Sequence, residues 1–241
     1  MGGKDVISQL IDEIYQARDV RLHEGAAESA IAEFERDGRF LIPTSHKAIL
    51  LRSNGFEMYG GYIRLFGVNT RHAIDAITWN RTDTWKFAWG DRCSKYWCIG
   101  ETAWGDQYAY SCENLSDGND AAIYFLDALS MTPHVVGNSF ADFLRKEFIP
   151  WGRAPYDTIM VSARQKFGPL DIADHLVYVP SILLGGTENL DNVQKMNARA
   201  AMICNGDIAQ QVDAAPVKAT VRGVEPYKDE LDRTRIRLVW G

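Results

Sequence analysis

The spacing of the apolar residues changes twice along the chain, and those changes constrain the fold more than any other feature. Up to residue 54 the spacing is helical. Val6, Leu10, Ile11 and Ile14 share one face, Ile31 and Phe34 line a second helix over 26–37, and Ile49, Leu50 and Leu51 mark a short third. Gly38 and Asn54-Gly55 end the second and third helices, because glycine accepts the positive φ of a helix C-terminus. From residue 61 the period falls towards two. Segments 61–66, 96–99, 107–111 and 122–126 read as strands, and Gly, Asn and Asp fill the connections at 105–106 and 114–120, which suits an antiparallel meander. Residues 139–148 return to helix, with Ser139 as the N-cap. Helices, then consecutive strands, then a helix make an α+β plan: a mostly antiparallel sheet with helices packed on it.

Pro150-Trp151-Gly152-Arg153-Ala154-Pro155 interrupts this pattern and sets an expected boundary. Residues 1–150 are expected to form the main domain and 151–241 an α+β extension or small second domain. In the latter we expect a helix near 156–166, an apolar segment over 176–184 closed by Gly185-Gly186, and a helix over 191–211. Strands over 217–221 and 235–240 follow, with a turn over 225–232. The 241 residues are 46% hydrophobic, enough for real cores, and the 24% charged content is that of a globular chain. A net charge of −6 argues against a general nucleic-acid binder, which needs a basic face for phosphates.

The N-terminus runs into an amphipathic pattern carrying Asp12 and Glu13 and lacks the apolar core of a signal peptide. Met1-Gly2-Gly3 raises N-myristoylation, but Val6 stands where that motif wants Ser or Thr. No stretch approaches the roughly 18 apolar residues of a spanning helix, so a soluble, cytoplasmic protein with no membrane partner is expected. Cys93, Cys98, Cys112 and Cys204 complete no zinc-type spacing, and the five histidines are dispersed. They read as reduced thiols, with no metal or cofactor expected.

The string from Ile42-Pro43-Thr44 to Asn54-Gly55 resembles the opening signature of the SMI1/KNR4 (SUKH) superfamily, where an "LP" dipeptide starts a helix that ends in an "NG" cap. Leu65-Phe66-Gly67, Ile99-Gly100-Glu101 and Trp104-Gly105-Asp106-Gln107-Tyr108-Ala109-Tyr110 are similar to its strand motifs. Residues 122–127 match its next strand, and Ser139-Phe140-Ala141-Asp142-Phe143-Leu144 resembles its closing "SF-x-x-FL" helix. The likeness covers roughly residues 25–150. It departs from the pattern at Ile42 and in a long, Trp-rich segment over 70–95. The resemblance implies a binding scaffold rather than an enzyme. Relatives include immunity proteins that occupy and block a cognate toxin, and eukaryotic members that act as regulatory interaction modules. Neutralisation of a basic toxin is therefore the expected function, with a regulatory protein-interaction module as the alternative.

Charge distribution points the same way. Between Lys95 and Arg145 there is no Lys or Arg, while Glu101, Asp106, Glu113, Asp117, Asp120, Asp127 and Asp142 fall in that stretch. Clustered on one face of a sheet, they would steer a basic partner; the plain alternative is a solvated acidic surface. Five tryptophans (Trp79, Trp85, Trp89, Trp97 and Trp104) crowd the neighbouring segment. Trp97, mid-strand, reads as core. Trp85 and Trp89 fall in a loop-like segment and, with Trp104, are candidate interface anchors. The expected partner-binding set is Trp85, Trp89, Asp91, Glu101, Trp104, Asp106, Glu113, Asp117 and Asp120, with no catalytic residue. Glu101 and Asp106 are the one carboxylate pair open to an acid–base reading, and Asp106 in a turn has the simpler role of capping backbone N–H groups. No nucleophile elbow or phosphate loop is present.

Overall fold

A computed structural model of the protein describes residues 3–17, 19–69, 74–115 and 118–241. Seven antiparallel strands pair in chain order: β1 (Arg21–Leu22), β2 (Phe56–Met58), β3 (Ile63–Leu65), β4 (Tyr96–Thr102), β5 (Gln107–Ser111), β6 (Ile123–Leu126) and β7 (Pro133–Gly137). Helices α1 (Gly3–Gln16), α2 (Glu28–Gly38) and α3 (Thr44–Arg52) precede or interrupt the first strands. After β7, α4 (Phe140–Phe143), a π turn (Leu144–Phe148) and α5 (Ile149–Arg153) run on from one another. Ser139 caps α4 as expected, accepting the Asp142 N–H at 3.1 Å.

Strand β5 shows why both sheet faces are covered. Every residue of it is buried, and alternate side chains point to opposite faces. On one face Tyr108 packs against Phe143, with ring centroids 4.9 Å apart, and the Tyr110 hydroxyl lies 3.3 Å from His46 of α3. On the other face Gln107 accepts the Trp79 indole N–H at 2.8 Å. A sheet covered on both sides needs apolar residues on both faces, which is why the alternation in 107–111 is blurred.

The chain after residue 150 forms α6 (Thr158–Phe167), β8 (Asp174–Tyr178), β9 (Val193–Asn197), α7 (Ala198–Asp213), β10 (Val221–Lys228) and β11 (Thr234–Trp240), with β8–β9 and β10–β11 as antiparallel hairpins. Two expectations are corrected here. The segment 191–197 is a 3-10 turn and a strand rather than helix, and α7 starts only where Asn197 caps it by accepting the Ala200 N–H. Residues 225–228 belong to β10, not to a turn; the turn is at 229–233, where Asp229 accepts the Leu231 and Arg233 N–H groups.

Buried side chains on both sides of residue 150 join one hydrophobic cluster, Met160, Leu176 and Met202 packing with Tyr62, Ile63 and Ile99. The polar centre of this junction is Arg64, 1% exposed. Its guanidinium donates to Glu101 at 2.9 Å and to the carbonyls of Asp171, Ile172 and Asp174 at 2.8–3.0 Å, while Nε donates to the Gly61 carbonyl at 2.7 Å. The Leu176 N–H adds a bond to the Ala103 carbonyl at 2.7 Å.

Candidate functional site: an acidic cleft at the end of the sheet

The β4–β5 turn carries the site. Gly105 takes φ +88°, and a Cβ there would fall 2.9 Å from Met202 Sδ and 3.0 Å from His175 Nδ1, so the turn both bends and packs tightly against the C-terminal region. The bend brings Trp104 and Asp106 to face α6 and β8. The Trp104 indole N–H donates to Asp157 Oδ2 at 2.7 Å, and the ring lies flat on Tyr178, with centroids 4.8 Å apart and an interplanar angle of 8°. Asp157 Oδ1 caps α6 by accepting the Ile159 and Met160 N–H groups. Asp106 accepts the Thr102 hydroxyl at 2.6 Å and the Ala128 N–H at 2.9 Å. Asp127 accepts the Leu129 and Ser130 N–H groups and the Ser130 hydroxyl, all on Oδ1.

These side chains line a cleft of about 260 Å³, with Glu188 exposed among the lining residues, Ile159, Leu176, Val177 and Ile182 as apolar lining, and Asn205 contributed by α7. No Lys, Arg or His lines it. Burial, with the negative charges of Asp127 and Asp157, pushes the Asp106 carboxyl up to about 6, against the opposing effect of the bonds from Thr102 and Ala128. Among the described residues no group of three His, Cys, Asp or Glu side chains is arranged to hold a metal ion.

Of the residues expected from sequence, Trp104 and Asp106 come together in this cleft. The others do not. Trp85 and Trp89 are fully buried, a correction to their reading as surface anchors: the Trp89 indole donates to the Met202 carbonyl of α7 at 2.9 Å, and Trp85 packs on Trp79. Trp97 is core-packed as expected, edge-on to Phe34 and Phe40. Glu101 is likewise corrected, being fully buried. Burial alone would raise its carboxyl, but His175 at 3.1 Å, Arg64 and Gln107 outweigh that and hold it below the usual carboxylate range. It is a structural anion beneath the site.

Asp91, Glu113 and Asp120 are exposed but outside the cleft, and Asp117 lies outside the described residues. Asp120 accepts the Ser45 hydroxyl at 3.1 Å and borders a separate, more open groove with Ile7, Ile11, Ala48 and Arg52. The acidic stretch is therefore dispersed over several surfaces. Asp157, Tyr178 and Glu188 were absent from the expected set. Only Asp157 had a legible signal, an N-cap position just after Pro155 and before a helix.

A family model described as SMI1 / KNR4 family (SUKH-1) matches residues 25–146, just over half of the chain. The chain belongs to the SMI1/KNR4 family. This SUKH-1 region contributes Trp104, Asp106 and Asp127 to the cleft, and the part beyond it contributes Asp157, Tyr178 and Glu188. A solved structure, that of Atu4351 from Agrobacterium tumefaciens, is similar at a TM-score of 0.53 and 12% identity, covering 93% of this chain and 95% of that one. That likeness shows a shared fold reaching beyond the SUKH-1 region. Among curated proteins, none matches this sequence. No helix among the described residues is long and apolar enough to cross a membrane.

Proposed function

We propose that this SUKH-1 chain is a non-catalytic binding protein whose acidic cleft grips a basic partner protein, as an immunity protein occupies and blocks a toxin. The observation that carries the reading is the lining itself: four carboxylates converge on one concavity with no cation among them. Asp106, Asp127 and Asp157 are each fixed by bonds from backbone N–H groups, so little side-chain freedom is lost when a partner arrives. Exposed Glu188 extends the negative field outwards, where it raises the association rate. Trp104 and Tyr178 supply flat apolar area of the kind that sets residence time. Four free cysteines fit a reducing, cytoplasmic setting.

The test is affinity capture from the source cells with wild-type and Glu188→Lys baits, at low salt and at about 0.5 M salt, where exposed charges are screened within a few ångströms. The reading expects a basic protein held by wild type, weakened by salt, and reduced on the Glu188→Lys bait. Identical captures on both baits, or only neutral proteins, would overturn it and favour a regulatory interaction module.

A further inference from the structure

We infer that the cleft is the seat of a single arginine side chain presented by the partner, its guanidinium lying against the Trp104–Tyr178 pair. This rests on the reading of the cleft as the docking site for a basic protein, and it names the group that enters.

Size comes first. A concavity of about 260 Å³ is below the range of ordinary small-molecule pockets and far too small for a helix or strand, so one long side chain is what it holds. Shape comes second. Trp104 and Tyr178 stack face to face, parallel to within 8°, and the indole is pinned by Asp157. Each ring therefore covers one face of the other, and the pair offers a rigid outer ring face with a carboxylate at the indole edge. A planar, weakly hydrated guanidinium gains from such a face in addition to its charge, whereas a compact, strongly hydrated ammonium gains less.

Acceptor count comes third. Asp106 accepts one bond on each oxygen and Asp157 Oδ2 accepts one, leaving a lone pair free on each of these atoms. Three bonds crowd onto Asp127 Oδ1, and among the described residues no donor reaches Asp127 Oδ2 or the Glu188 carboxylate. Acceptors thus border the cavity in several directions. The five N–H donors of a guanidinium spread in one plane and match that arrangement better than the three donors of an ammonium.

The full-length protein should be titrated with Nα-acetyl-arginine amide, Nα-acetyl-lysine amide and the neutral isostere Nα-acetyl-citrulline amide, following indole resonances by NMR. The arginine probe is expected to bind with a Kd on the order of 1 mM, the level a ligand of this size reaches, and to shift the Trp104 indole signal. The lysine probe is expected to bind at least about fivefold more weakly, and the citrulline probe not to saturate. Glu188→Gln, at an exposed position, should weaken the arginine probe about threefold without altering the melting curve. Equal affinity for arginine and lysine, binding of citrulline, or no shift at Trp104 would each overturn the arginine seat. If those results accompany intact, Glu188-dependent capture of a basic protein, only the arginine assignment fails. Loss of both removes the partner reading itself.

Discussion

Replacing Arg64 with methionine should cost about 4 kcal/mol of folding stability, because it takes the guanidinium away from buried Glu101. Methionine keeps most of the buried stem and removes the charged head. The head makes one bond to Glu101, one to the Gly61 carbonyl and three to carbonyls within 171–174. Those three carbonyls belong to residues that are half-buried or exposed, so water can replace the lost donors there. Water does not reach Glu101, whose side chain is fully buried, and it is left with only the Gln107 amide and the His175 ring, each at 3.1 Å. Breaking a buried pair at one partner costs about 3–5 kcal/mol, and that term sets the estimate. It is a large part of the roughly 5–15 kcal/mol that holds a domain together.

With an m-value of about 3 kcal/mol/M in urea for a chain of this size, the unfolding midpoint should fall by more than about 1 M. Arg81→Met, which removes an exposed pair with Asp83, is the control and should leave the midpoint in place. Adding Glu101→Gln to Arg64→Met should recover part of the loss, because the buried charge disappears. A midpoint within about 0.3 M of wild type, or a double variant worse than the sum of its parts, would refute the assignment of Glu101 as a structural anion.

Other expectations follow from the same geometry. The Asp106 carboxyl is raised from an ordinary 3.8 to about 6 in the fold, so between those values the folded state holds the proton more tightly than the unfolded one, and stability falls as pH rises. Asp106→Asn should therefore be more stable than wild type at pH 7.5, by up to about 3 kcal/mol, with the difference vanishing below about pH 4. His46 runs the other way. Burial lowers it from 6.5 to about 3, so the fold loses stability as pH drops below about 6.5, by at most about 1.4 kcal/mol per unit. His46→Phe, which keeps the stack on Phe140, should flatten that acid limb of the melting profile; an unchanged slope would count against a neutral buried imidazole. Gly105→Ala should cost about 2 kcal/mol, from the positive φ and the contact with Met202 and His175, and a wild-type melting curve would show that the turn is not tightly packed.

What the sequence made legible were features with local causes. The strand at 107–111 and the Ser139 cap depend on near neighbours, and the structure has them where expected. The helix ends are corrected, because the left-handed residue closing α2 is Arg39 rather than Gly38, and α3 stops at Arg52 with an extended Ser53 as its cap, before Asn54-Gly55. Misreadings arose where the deciding partner lies far along the chain. Trp89 is closed over by α7, more than a hundred residues away, and Glu101 is paired with Arg64 and lies 3.1 Å from His175, both from other elements. Helix-compatible composition over 191–197 hid the short strand β9, whose role is set by pairing with β8. The mixed acidic and basic residues of 225–232 read as a turn, yet 225–228 belong to β10, where Pro226 sits in a two-stranded sheet that tolerates a missing N–H. Half of the cleft is legible from the motif Trp104-Gly105-Asp106. Its other half comes from Asp157, Tyr178 and Glu188, which no local pattern links to that turn.

Hydrogen exchange on the protein with and without its captured partner tests the central claim most directly. The account predicts slowed exchange at the turn 102–106, at 127–130 and over 178–188, the segments that border the cleft, with the groove between α1 and α3 unchanged. Protection confined to that groove, with the cleft exchanging as in the free protein, would contradict it.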